Sequence, residues 1–167
     1  MKPQVLIAGI GNIFQGDDGF GVEVAQRLMR RTLPPEVRVT DFGIRGFDLA
    51  YALMDQHDCT ILVDAVSRGE DPGTLYVIEP DLDDVSETEL NAHAMNPQNV
   101  FALVKSMGGQ CKRVLLVGCE PKDLGGDEGK MGLTDEVSAA VEAAADLTVS
   151  LATEMLQNQE RQIKEIV

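Results

Sequence analysis

The segment Thr60-Ile-Leu-Val-Asp-Ala-Val66 constrains this chain more than any other. It is almost wholly apolar and rich in β-branched residues, the pattern of a strand buried on both faces in the middle of a parallel sheet. One carboxylate, Asp64, interrupts it near its carboxyl end. A sheet of this kind needs helices over both faces, and the remaining sequence supplies them in alternation. Residues 4–8 form an apolar first strand closed by Gly9-Ile-Gly-Asn12. Over residues 18–31, Phe20, Val22, Val24, Ala25, Leu28 and Met29 recur at helical spacing, and Pro34-Pro35 ends that helix. Residues 37–42 read as strand two and 47–54 as a short helix.

After the central strand, Pro72-Gly73 marks a turn into a fourth strand over 74–78. Asn96-Pro97 has the form of an N-cap followed by proline in the first helical turn, and Gly108-Gly109 closes that helix. Residues 114–118 give a fifth strand, and a glycine-rich loop over 123–132 leads to Thr134, a candidate N-cap. The last helix is expected to run to about residue 157 and to fray beyond it. The alternation implies a single domain over 1–167, a three-layer α/β/α sandwich with a largely parallel sheet. Residues 66–73 are too few for a helical crossover, so strand four is expected to run antiparallel. In such sheets ligands gather outside the carboxyl ends of the strands, which directs attention to the ends of strands one, three and five.

Charge narrows the partners. Against 28 Asp and Glu the chain has 14 Lys and Arg, a net charge of −14. That balance excludes broad binding to nucleic-acid phosphates and to an anionic membrane surface. No apolar run is long enough to span a bilayer, and residues 4–10 lack the basic leader of a secretory signal. Cys59, Cys111 and Cys119 are odd in number, widely spaced and without a CxxC pair, as expected of reduced thiols in a cytoplasm.

Gly9-Ile-Gly11 invites a dinucleotide reading, but Phe14 stands where the third glycine belongs. Asp17 and Asp18 lie where a pyrophosphate would meet a helix N-terminus, and their charges would repel it. Either aspartate suits an N-cap; one cap suffices, so the other is free to face the cleft. Asp64, set among apolar neighbours, needs a partner or a ligand. His93 precedes a helix start in a loop that could reach the same crevice. Asp18, Asp64 and His93 would together make an O,O,N site for a divalent transition metal, with positions left open. Asp41 and Gly43-Ile-Arg45-Gly46 follow strand two and could line that crevice, or Arg45 could simply be solvated in a turn. Cys119, ending strand five, reads as a small core residue before it reads as a nucleophile. His57 is expected at the surface. No nucleophile elbow or phosphate-binding loop of the P-loop type is present.

Taken in order, these motifs resemble the hydrogenase maturation endopeptidases. The resemblance rests on Gly9-Ile-Gly-Asn-Ile-Phe-Gln-Gly-Asp-Asp-Gly-Phe-Gly21, Asp41-Phe-Gly-Ile-Arg-Gly46, Ile61-Leu-Val-Asp-Ala65, His93-Ala-Met95, Val117-Gly-Cys-Glu-Pro121 and Gly132-Leu-Thr134. It implies a mixed, mostly parallel five-stranded sheet. It implies removal of a C-terminal extension from a nickel-loaded nickel–iron hydrogenase large-subunit precursor, with nickel supplied by that substrate and met by Asp18, Asp64 and His93. Asp17 is the neighbouring alternative for the first ligand, and other divalent transition metals could occupy the site. Water activation would fall to Asp18 or Asp41. The competing reading is a nickel-dependent assembly chaperone that holds the precursor without cutting it.

Overall fold

The structure, a computed structural model, describes residues 2–55, 57–83 and 96–166. Strands β1 (Val5–Ile10), β2 (Val37–Gly43), β3 (Cys59–Ala65), β4 (Leu75–Ile78) and β5 (Arg113–Cys119) form one five-stranded sheet in the order β2-β1-β3-β5-β4. All neighbours are parallel except β4, which pairs antiparallel with β5. The short 66–73 connection thus returns the chain in the direction its length dictates.

Helices α1 (Phe20–Met29), α2 (Gly46–Met54), α3 (Pro97–Ser106) and α4 (Asp135–Ile166) cover the two faces. Strand alternation sorts the core. Val5, Ile7, Ile61 and Val63 pack with Phe20 and Leu28 of α1 and Val141 and Ala144 of α4. Leu6, Ala8 and Leu62 point the other way, onto Leu49 and Leu53 of α2 and Val100 and Phe101 of α3. β3 therefore carries apolar side chains on both faces, which is why its sequence reads as one unbroken run.

The expected cap of α3 is present, with Asn96 Oδ1 accepting the Asn99 amide at 2.9 Å. Two boundaries differ from expectation. A 3-10 turn, Gly16–Gly19, precedes α1 and takes up the segment read as its first turn. The last helix does not fray near 157 but continues to Ile166. Its closing residues are mostly strong helix formers with no glycine or proline to stop them, so propensity sustains the helix beyond the core.

The layers approach closely where β1 and β3 end. A Cβ on Gly21, in the first turn of α1, would lie 1.9 Å from the Val63 carbonyl oxygen and 2.3 Å from that of Ile10. Only glycine lets the helix sit this near the two strand ends. Gly11 lies beside them at φ +142°, where a Cβ would meet the Asp18 carbonyl at 1.8 Å.

Candidate active site

Asp64 sits at the penultimate position of β3, 4% exposed, with Oδ1 accepting the Ala65 amide at 2.8 Å. Asp18 is delivered by the 3-10 turn after β1 and is half-buried; its Oδ2 accepts the Asn12 amide at 2.9 Å. Among the described residues neither Asp18 Oδ1 nor Asp64 Oδ2 has a hydrogen-bond donor. The two carboxylates feel one another. Burial pushes the Asp64 carboxyl well above the usual carboxylate range, and the Asp18 charge pushes it further, against the single Ala65 amide. Burial also raises Asp18, opposed by the Asn12 amide. Two desolvated acids with uncommitted oxygens at neighbouring strand ends suit a divalent cation, whose charge would offset their repulsion. Two ligands do not complete a site, and no cluster of three or more His, Cys, Asp or Glu occurs among the described residues. His93, the expected third ligand, lies outside the described residues.

Asp17, adjacent in sequence, has a different environment. It is fully buried. Its Oδ2 accepts the amides of Lys122 (2.8 Å) and Asp123 (2.9 Å), and its Oδ1 that of Thr134 (2.7 Å). The Thr134 hydroxyl donates to the same carboxylate at 3.0–3.1 Å. Burial opposes ionisation here, but these donors outweigh it and hold the carboxyl below its ordinary value. Neither aspartate caps α1, whose N-cap is Gly19 without a side-chain bond. The cap reading is therefore replaced by two distinct roles: Asp17 ties the turn to the 122–134 loop, and Asp18 lies beside Asp64 where β1 and β3 end.

Asp41 is opposite Gly9 in the β1–β2 register, and its Oδ2 accepts from Gln26 Nε2 of α1 at 3.5 Å. Val37 and Val39 share that α1 face, whereas Leu62 directs the alternate positions of β3, Asp64 included, toward α2 and α3. The structure thus brings Asp18 and Asp64 together and seats Asp41 on the other face of the sheet. Arg45 is occupied locally. Its Nε donates to the Phe42 carbonyl (3.2 Å), one Nη donates to the Asp41 carbonyl, and the other pairs with Asp48 (3.2 Å). Its guanidinium stacks 5.7 Å from the Phe42 ring centre. Cys119 is fully buried, and desolvation, aided by the Asp17 and Glu120 charges, pushes its thiol up to about 12. It is a core residue. His57 is half-buried rather than superficial, with Nδ1 enclosed and without a hydrogen-bond partner among the described residues, at the amino end of β3, away from Asp64.

One residue that sequence reasoning passed over belongs to this end of the sheet. Glu120, 4% exposed, follows β5, and its Oε1 accepts the Arg68 and Glu70 amides (2.8 and 2.9 Å) and the Tyr76 hydroxyl (2.7 Å). It folds the β3–β4 connection against the end of β5. Its signal was available: an acid at the carboxyl end of a buried strand, directly after β5 here and one residue before the end of β3 in the case of Asp64.

The description "Hydrogenase maturation protease" belongs to the family model that residues 22–151 match. A hydrogenase expression/formation protein of Azotobacter chroococcum mcd 1 is 35% identical over 92% of this chain and 73% of its own length. One from Rhizobium leguminosarum bv. viciae is 33% identical over 88% and 73%. Among solved structures, the hydrogenase 2 maturation peptidase of Thaumarchaeota archaeon SCGC_AB-539-E09 superposes with a TM-score of 0.68 at 31% identity, covering 90% of this chain and 98% of that one. A hydrogenase maturating endopeptidase of E. coli gives a TM-score of 0.71 at 28% identity, covering 91% and 93%.

Proposed function

The chain belongs to the hydrogenase maturation protease family, and from that membership we propose that it removes the C-terminal extension of a nickel–iron hydrogenase large-subunit precursor at the Asp18–Asp64 crevice. The observation that carries this is the pairing of two desolvated carboxylates, each with an oxygen uncommitted among the described residues, where β1 and β3 end. Nickel enters as part of the substrate, already held by the precursor. Asp18, Asp64 and His93 complete its coordination and so fix the scissile segment. An O,O,N donor set with vacant positions suits a metal shared with the ligands of another chain. Exposed Phe14 and Met131, 61% and 64% accessible, flank the 3-10 turn on loops joined by the Lys130 amide to the Phe14 carbonyl at 2.8 Å. They offer the precursor an apolar seat beside the crevice.

Water activation falls to Asp18 in this reading, because Asp41 is turned toward α1. Desolvation makes Asp18 a stronger base than a solvated aspartate. No helix among the described residues is long and apolar enough to cross a membrane. Reaction in the cytoplasm fits that and the unpaired cysteines.

The test mixes purified precursor, nickel-loaded or nickel-free, with the wild-type chain and with Asp18→Asn, Asp64→Asn and His93→Ala, and follows release of the C-terminal peptide by mass spectrometry. Wild type is expected to cut the loaded precursor alone, and Asp18→Asn to slow cutting by about a hundredfold or more. Equal cleavage of nickel-free precursor would overturn nickel recognition. A stable complex without truncation would make the chain an assembly protein that holds its partner.

A further inference from the structure

Asp17 has no task in the reaction proposed above, yet its surroundings are those of a built joint. Among the described residues every polar group bonded to its carboxylate is a donor: the amides of Lys122, Asp123 and Thr134 and the Thr134 hydroxyl. The backbone of the turn is bonded to the same loop, Asp17 N–H to the Asp123 carbonyl (2.9 Å) and Gly16 N–H to that of Lys130 (2.8 Å). The Gly16–Gly19 turn is thereby fastened to a segment more than a hundred residues away in sequence. Asp18 is the next residue of that turn, held on its other side by the Asn12 amide.

We propose that Asp17 is a positioning residue: its carboxylate, bonded to the 122–134 loop, fixes the turn so that Asp18 faces Asp64 across the crevice. The proposal rests on reading Asp18 as a working group of the site. An acceptor-only group is required at position 17, because an amide would set its own N–H against the donors already there. At least one donor would lose its acceptor, and the turn would shift to relieve the contact. Asp18 would move with it, since the two residues share one short 3-10 segment.

The Asn12 amide donates to Asp18 Oδ2 and so reports where Asp18 points, independently of turnover. The experiment compares full-length wild type, Asp17→Asn, Thr134→Val and Asp18→Asn by 1H–15N NMR. It also measures cleavage of nickel-loaded precursor at a temperature where melting curves show each variant folded. Asp17→Asn is expected to shift the Asn12 amide in the direction seen for Asp18→Asn and to lower kcat/KM by about tenfold to a hundredfold while folded. Thr134→Val, which removes only the hydroxyl donor, is expected to do both to a smaller extent, and it carries the test should Asp17→Asn fail to fold. An unmoved Asn12 amide with wild-type cleavage in the folded variants would overturn the proposal. So would a cleavage defect that simply follows the fraction unfolded. If Asp18→Asn itself cleaves normally, the reading of Asp18 fails, while the Asn12 shift still decides whether Asp17 positions it.

Discussion

At the scale of single residues, three acids of one type of chemistry meet three fates because their donors differ. Among the described residues Asp64 has one amide and a like charge nearby, Asp17 has four donors, and Glu120 has loop amides and a phenol. The signs of their pH effects follow. The Asp64 carboxyl is raised, so the folded state binds its proton more tightly than the unfolded state does. Stability of the metal-free chain should then fall as pH rises from the ordinary value of 3.8 toward the raised one. Asp64→Asn should be more stable than wild type at pH 7, with the difference closing near pH 4 in urea titrations. Glu120 goes the other way. The Tyr76 hydroxyl and the loop amides hold its carboxyl below 4.5, so its stabilisation is present at neutral pH and lost as pH falls through that lowered value. Glu120→Gln should therefore lower the melting temperature at pH 7 and converge on wild type in acid.

At the scale of elements, contact between α1 and the ends of β1 and β3 sets the site. Gly21→Ala forces a methyl group into the Val63 and Ile10 carbonyls. It should cost about 1–3 kcal/mol, or more if α1 cannot retreat, and any retreat opens the crevice. Denaturant titration alongside precursor cleavage would register both effects, with cleavage falling more than stability alone explains. The end of α4 is the opposite case. Leu156 is the last buried residue of that helix, and the segment from 157 onward packs no core. Truncation after residue 157 should leave the melting temperature within about 2 °C of wild type, since exposed helical turns contribute little. That helix also shows a limit of pattern reading. The charged tail beyond about residue 157 suggested fraying, whereas a polar, unburied stretch reports exposure and not the end of a helix.

At the scale of the whole molecule, the charge of −14 acts over distances that the crevice does not. In the proposed reaction it steers a partner with a complementary basic surface, so kcat/KM for the precursor should fall between low and high salt while kcat changes little. A salt-independent association rate, measured by stopped flow, would leave the charge only a role in solubility. The fold was legible because its signals are local. Residues 60–66 announce a doubly buried strand, and the length of 66–73 alone reverses β4. Asp64 was legible for the same reason, as a lone carboxylate in an apolar run. Sequence could not apportion Asp17 and Asp18, since both fit a cap and neither is one. Their difference arises from Lys122, Asp123 and Thr134, brought to one carboxylate only when the loop between β5 and α4 folds against the turn. Nor could it separate Asp41 from Asp64, which end strands of the same sheet but face opposite layers. Hydrophobic pattern determines which segments are strands and helices, because burial is repeated along the chain at a fixed period. What each acid does depends on the few donors and charges within hydrogen-bonding reach, and packing alone decides which residues those are.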